Sequence, residues 1–262
     1  MSRVGIIGGT NADFDFEWYG DQRIGTPYGA VDIAEGRVSG ANVSAAFVRR
    51  HGRGHERLSS MVEHRANITA LAELGCAAII ATTVCGIVDP DVSLASAIVF
   101  DDLFFPDNRL PDGTACTFFA EEGQPGRGHY IFGSPFSPSL RAALIEAGMN
   151  EGIAVRGEAT YAHMLGPRFN SRAEVGWLRG LGVTALSQTA GPEAVLAGEL
   201  EIPYALVGFG VDYANGVRDE PTPVETLDAN IAASEQVFGA LVGGALRTLG
   251  ETPFDSGFVY RF

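Results

Sequence analysis

Short apolar runs alternate with segments of helical periodicity along most of the chain, and this alternation constrains the fold more than any other feature. Val4-Gly5-Ile6-Ile7-Gly8-Gly9-Thr10 reads as a buried strand ending in a glycine turn. Ala77–Ala81, Ser96–Phe100, Ile153–Val155, Val183–Leu186 and Tyr204–Val211 read as further strands. Ser60–Leu74, Pro138–Ala147, Arg172–Leu181, Pro192–Leu200 and Pro223–Leu249 are the expected helices. Ser59 or Ser60 is the expected cap of the first of these and Gly75 its stop, while Pro192 sits in the first turn of the fourth. Ala30–Val38 and Asn42–Arg49 are expected to pair as a hairpin with Gly40 near the turn. Strands without polar alternation are buried on both faces. The expected class is therefore α/β, a central, largely parallel β-sheet flanked by helices on both sides. Pro106–Gly128 is read as a long surface loop, and residues 1–262 as one domain.

Composition then removes whole classes of function. With 18 Lys+Arg against 32 Asp+Glu, the 262-residue chain carries a formal charge of −14, the wrong sign for coating nucleic acid. Hydrophobic residues make up 46% and charged residues 19%, which suits a sizeable core and not a disordered chain. The longest apolar run, Cys76 to Val88, is interrupted by Thr82, Thr83 and Gly86, so no membrane span is expected. Met1-Ser2-Arg3 leads directly into the first strand-like segment, so no secretory leader is expected. Cys76, Cys85 and Cys116 lack CxxC spacing and stand among small or apolar residues. They are read as reduced, buried thiols, and the location as cytoplasmic.

Several chemical motifs are missing. Gly5-x-x-Gly8-Gly9 and Gly208-Phe209-Gly210 both fail the dinucleotide GxGxxG pattern, and neither a P-loop nor a GxSxG elbow occurs. The i,i+4 histidines of His51-Gly-Arg-Gly-His55 have two glycines between them, so a helical metal face is not expected. No metal and no cofactor are expected.

What does recur is a polar residue placed just after a buried strand. Thr10, Arg50 with His51, Thr83, Thr189 and Asp212 all follow strand-like segments. In open α/β sheets ligands bind beyond the carboxyl ends of strands. Hydroxyls, a guanidinium and an imidazole converging there suit a tetrahedral oxyanion. In an acidic chain, such a local cationic site is informative, because the overall field repels phosphate.

The chain resembles the trimeric purine nucleoside phosphorylase family, most closely its 5′-methylthioadenosine phosphorylase branch. The resemblance rests on seven segments in order: Val4–Thr10, Gly25-Thr-Pro-Tyr-Gly29, Arg50-His-Gly-Arg-Gly-His55, Arg65-Ala-Asn-Ile68, Thr82-Thr-Val-Cys-Gly86, Gly166-Pro-Arg-Phe169 with Ser171-Arg-Ala-Glu174, and Thr189-Ala-Gly-Pro-Glu193. It implies a three-layer phosphorylase/hydrolase-like fold, a homotrimer with shared active sites, and phosphorolysis. In that reaction inorganic phosphate attacks C1′ of a purine nucleoside and releases the base and a ribose 1-phosphate. Carried over by position, Thr10, Arg50, His51, Thr83 and Thr189 hold phosphate. Val84, Gly86, Phe169, Asp212 and Ala214 form the base pocket, and Asp212 supplies a proton near N7 if burial raises its pKa. Gln188 lies under the ribose. His129 reaches the 5′ end from a neighbouring subunit, Val224 and Leu227 belong to an apolar 5′ pocket, and His55 and His64 line the site or pack beside it. His163 is given no role.

The chain also departs from the family. Asp212-Tyr213-Ala214 keeps the first of two aspartates that relatives use for a 6-aminopurine and loses the second. Ala214 keeps open a 6-oxopurine or 5′-methylthioinosine phosphorylase. Gln188 replaces a methionine, His64 a tyrosine, Asn11 a glycine and Leu165 a glutamate; Leu103-Phe-Phe-Pro106 has no family counterpart. These changes suggest a substrate with an altered sugar or base. A nucleosidase using water would have no need of Arg50 and His51, and a non-catalytic binding module would have no need of Asp212.

Overall fold

The computed structural model describes residues 2–9, 14, 16–250, 255 and 257–262. Thr10 and Asn11, singled out above, lie outside the described residues. Among those described, thirteen strands and five α-helices form. In chain order they are β1 (Arg3–Gly8), β2 (Glu17–Thr26), β3 (Gly29–Arg37), β4 (Ser44–Arg49), α1 (His64–Glu73), β5 (Cys76–Ile87), β6 (Ala97–Val99), β7 (Asp102–Phe104) and β8 (Gly128–Ile131). There follow α2 (Pro138–Glu151), β9 (Val155–Arg156), β10 (Thr160–His163), α3 (Arg172–Gly180), β11 (Ala185–Ser187), α4 (Ala190–Glu199), β12 (Tyr204–Tyr213), α5 (Val224–Thr248) and β13 (Phe258–Arg261).

The expected class holds: a mixed, largely parallel sheet lies between helices. Its order runs β2-β3-β4-β1-β5-β11-β10-β7, with β12 on the other side of β5 and leading to β6 and β9. The central strands β4, β1, β5 and β12 are mutually parallel, so their carboxyl ends share one edge. Side chains alternate faces along each strand, as the two-residue period requires. Ile79 and Ala81 join the layer of α1 and α4. Ala78 and Ile80 join the layer of α2 and α5. A smaller cluster packs Val175 and Leu178 of α3 against Val183 and Leu186. Among the described residues no helix is long and apolar enough to cross a membrane.

Several expectations need correction. Thr83 and Asp212 do not follow their strands but lie inside them. β5 continues to Ile87 because β12 pairs with it as far as Tyr213. The first helix begins at His64, since the backbone at Val62 is extended, and neither Ser59 nor Ser60 caps it; Ser59–Met61 is a separate 3-10 turn. The hairpin β3–β4 forms as expected, and β2, unforeseen, pairs with β3 at the sheet edge. The stretch Pro106–Gly128 is not wholly a surface loop. Leu110, Cys116 and Phe118 are buried, while Arg65 of α1 and Glu199 of α4 hold its backbone.

Candidate active site

A cavity of about 410 Å³ opens beyond the carboxyl ends of the central strands, within the size range of small-ligand sites. Three segments bring the candidate anion ligands to it. The end of β4 delivers Arg50 and His51, β5 delivers Thr83, and the turn from β11 into α4 delivers Thr189. β11 runs antiparallel to the end of β5, which returns Ser187 to Thr83 with their hydroxyl oxygens 2.9 Å apart.

Arg50 is fully buried. Its Nε and Nη2 donate to Glu193 Oε1 and Oε2 at 2.5 and 2.8 Å, and its Nη1 donates to the Thr82 carbonyl at 2.8 Å. Burial alone would lower the guanidinium pKa, but the Glu193 carboxylate more than offsets this and raises it. Arg50 therefore stays charged, with three of its five N–H groups engaged. Gly9 must be glycine because a Cβ would lie 2.8 Å from Arg50 Nη1 and 2.9 Å from the Thr82 carbonyl.

His51 Nδ1 lies 2.8 Å from the Arg57 carbonyl. A carbonyl only accepts, so Nδ1 carries the proton. Burial and the Arg50 charge push the His51 pKa down to about 4, leaving a neutral ring whose Nε2 is an acceptor. Gly52 and Gly54, both at positive φ, fold the turn so that the His55 ring stacks on His51 with centroids 4.4 Å apart. Thr189 is the N-terminal flanking residue of α4, yet its hydroxyl makes no capping bond. It lines the cavity instead.

The other part of the cavity carries the acid. Thr83 and Gly86 are three residues apart on β5, or about 10 Å at strand rise. Beside Gly86, the position of a Cβ would lie 3.4 Å from Asp212 Oδ1 and 3.6 Å from Ala214 Cβ. Burial raises the Asp212 pKa to about 6. Val84, Phe169, Ala214 and Leu227 also line the cavity, Phe169 being 71% exposed at its mouth. Gln188 lines it too, but its amide is occupied: Ser59 Oγ donates to Oε1 at 2.8 Å, and Nε2 donates to the Arg168 carbonyl at 3.0 Å.

Three candidates stand elsewhere. His64 is buried behind the ion pair, its Nδ1 3.7 Å from Glu193 Oε1. Val224 opens α5 and is exposed. His129 lies on β8, paired with β13, its ring 5.4 Å from that of Phe262; none of the three lines the cavity. His163 is buried against Phe105.

Sequence reasoning overlooked Glu193, Ser187, Asn170, Asn215 and Ile231. Glu193 stands within a quoted motif, one turn into α4. Ser187 ends a buried strand, the same signal that marked Thr189. Ile231 repeats Leu227 at i+4. Asn170 is buried with its Oδ1 unpartnered, and its carbonyl accepts from Asn215 Nδ2 at 2.7 Å; nothing in their spacing pairs these two.

The chain matches the phosphorylase superfamily over residues 3–247. It is 37% identical over 222 residues to the 6-oxopurine nucleoside phosphorylase of Pyrococcus furiosus, covering 83% of this chain and 82% of the relative. It is 35% identical over 229 residues to a probable S-methyl-5′-thioinosine phosphorylase of Methanopyrus kandleri, covering 86% and 84%. Among solved structures, the methylthioadenosine phosphorylase of Schistosoma mansoni in complex with adenine superposes with a TM-score of 0.85 at 27% identity, covering 95% of this chain and 92% of that one.

Proposed function

The chain belongs to the phosphorylase superfamily, and on that premise we propose that its cavity performs phosphorolysis of a purine nucleoside of the 5′-methylthioadenosine type. The enzyme is a pentosyltransferase whose co-substrate is inorganic phosphate. One observation carries the reading: a buried cation with hydroxyl donors, and a carboxyl of raised pKa, share one cavity, and the β5 residues beside them, Thr83 and Gly86, stand about 10 Å apart along the strand. That spacing suits an anion, a pentose and a base laid end to end.

Phosphate rests on Arg50, His51, Thr83, Thr189 and, by resemblance, Thr10. The two N–H groups of Arg50 left free by Glu193 and Thr82 supply fixed charge, and neutral His51 accepts from the phosphate hydroxyl. A phosphate oxygen bonds to C1′ as the C1′–N9 bond breaks, and the bonding pair leaves with the purine. Asp212, protonated, gives its proton to N7. Val84, Gly86, Phe169 and Ala214 enclose the base. Catalysis is positioning and preorganised charge.

Leu227 and Ile231, one turn apart on α5, give the cavity an apolar wall. Such a wall favours a thioether over a hydroxyl by about 1–3 kcal/mol. His129, on the exposed β8–β13 ribbon, completes the 5′ end of a neighbour's site in a homotrimer; the whole chain acts as one domain, in the cytoplasm, in purine salvage. A second reading, a 6-oxopurine or 5′-methylthioinosine phosphorylase, is favoured by Ala214 standing beside Asp212 where a second acid would read a 6-amino group.

The test is base release from methylthioadenosine, methylthioinosine, adenosine and inosine, each with and without phosphate. Phosphate-dependent release, fastest with a methylthio substrate and lost in Asp212→Ala, is expected. Release at the same rate without phosphate would make the protein a nucleosidase.

A further inference from the structure

Behind Thr83 lies a chain of hydroxyls that the reaction as described does not use. Ala190, the first residue of α4, donates its backbone N–H to the Tyr161 hydroxyl oxygen at 3.2 Å. Tyr161 is fully buried, and its oxygen lies 2.7 Å from Ser187 Oγ. Ser187 Oγ in turn lies 2.9 Å from Thr83 Oγ1, which has the Val84 carbonyl at 3.1 Å.

The direction of these bonds follows from donor accounting. Tyr161 accepts from Ala190 N–H, and among the described residues the one other partner of its hydroxyl is Ser187. A buried hydroxyl proton left unbonded is costly, so Tyr161 donates to Ser187. Ser187, having accepted, donates to Thr83. Thr83 thereby accepts from behind, so its own proton points away from Ser187, toward the Val84 carbonyl or toward an oxyanion in the cavity. Burial pushes the Tyr161 pKa up to about 12, so it keeps the proton it donates. Each bond also polarises the next, and the series starts at the positive end of α4.

We propose that Tyr161 and Ser187 are positioning residues that fix the Thr83 hydroxyl as a donor to the phosphate co-substrate. This rests on the functional reading above, in which Thr83 holds phosphate. Tyr161 does not line the cavity, so an effect of its hydroxyl on phosphate travels either through Ser187 or through Ala190 beside Thr189, and the double-mutant cycle separates these two routes. Ser187 does line it, and its removal alone would not separate direct contact from relay.

The experiment is a double-mutant cycle of Tyr161→Phe, Ser187→Ala and the pair, read as steady-state KM for phosphate and for nucleoside. Each single variant should raise the phosphate KM about fivefold or more, with nucleoside KM at saturating phosphate within about twofold of the parent. The pair should resemble Ser187→Ala within about twofold, because a broken relay cannot be broken again. Ser187→Thr, which keeps a hydroxyl there, should restore the phosphate KM. If Tyr161→Phe does not fold, uniform replacement of tyrosine by 3-fluorotyrosine, whose hydroxyl is a stronger donor, should shift the phosphate KM of the parent and leave that of Ser187→Ala unmoved, and no such difference overturns the relay. Unchanged phosphate KM in the single variants, or losses that multiply in the pair, overturns the relay alone. A parent enzyme without any phosphate requirement overturns the functional reading and the relay with it.

Discussion

Arg50 and Glu193 meet as a fully buried bidentate pair, with Nε to Oε1 at 2.5 Å and Nη2 to Oε2 at 2.8 Å. Tyr204 donates a third bond to Glu193 at 2.9 Å. The fork of the guanidinium is thus held from behind while its remaining N–H groups stay free. Glu193 does for Arg50 what a ligating anion would otherwise have to do alone: it keeps a buried cation solvated and aimed.

Removing Glu193 should therefore cost much more than a surface ion pair does. Glu193→Ala leaves an uncompensated buried charge, for which about 3–5 kcal/mol of destabilisation is expected. Urea unfolding at pH 7 measures it, and a loss below about 1 kcal/mol would count against the pair's role. The pH dependence has a definite sign. Although burial opposes ionisation, Arg50 holds the Glu193 carboxyl below the usual range. Its contribution is complete above the unfolded carboxyl pKa and is lost as pH falls through the folded value. The parent should lose stability on acidification more steeply than Glu193→Gln.

Asp212 has the opposite sign. Its folded pKa of about 6 lies above the ordinary aspartate value of 3.8 because burial disfavours the charged form, so the native state binds a proton more tightly than the unfolded chain. Stability falls as pH rises between those two values, and the full cost is carried above pH 6. Asp212→Asn should then gain about 1–3 kcal/mol at pH 8 while losing about 100-fold or more in turnover. In the parent, kcat/KM should decline above about pH 6 as the acid form is depleted. A variant less stable than the parent at pH 8 would show that burial is not the cost described.

Gln188 ties the two lips of the cavity together, from Ser59 on one side to the Arg168 carbonyl on the other. The sequence reading placed Gln188 under the ribose and took it as a sign of an altered sugar; in the structure its side-chain amide is already engaged with protein. Gln188→Met cuts both ties. At about 0.5–1.5 kcal/mol for each neutral bond, or about 1–3 kcal/mol for the two, nucleoside KM should rise roughly 5- to 150-fold with phosphate KM unchanged. Better activity in Gln188→Met on every methylthio substrate would instead mean that the amide obstructs the sugar.

The sheet and its helices were legible because buried strands and amphipathic helices write their periods into local sequence. Strand ends were not: the run at Thr82-Thr83-Val84-Cys85-Gly86 loses its aliphatic character, yet stays a strand because β12 continues beside it. β2 was missed for a related reason. It lies at the exposed sheet edge, so Glu17–Thr26 carries no buried face to betray it. Within the site, ligand-facing residues at strand ends were readable singly. Their supports were not, since Arg50 meets Glu193 across 143 positions and Thr83 meets Ser187 across 104. Only folding sets such pairs together.

Position 214 offers the sharpest test of base preference. The backbone N–H of Ala214 donates to the Ile87 carbonyl at 2.9 Å, which fixes where its side chain starts. Ala214 Cβ and Asp212 Oδ1 stand 3.6 and 3.4 Å from the same point above Gly86, so an acid at 214 would face the ligand edge that Asp212 faces. Two neighbouring carboxyls cannot both ionise freely, and one of them would hold its proton at higher pH. The pair then offers one acceptor for a 6-amino group and one donor for a ring nitrogen, whereas a 6-oxo group meets a repulsive carboxylate. Ala214→Asp should raise the kcat/KM ratio of 6-amino over 6-oxo nucleosides by about 10- to 100-fold, chiefly by rejecting the 6-oxo substrate. Competition between adenosine and inosine in one reaction reads this ratio directly. A ratio unmoved by Ala214→Asp would mean that the base edge is read elsewhere in the cavity, with Asn170 and its unpartnered Oδ1 the next position to vary.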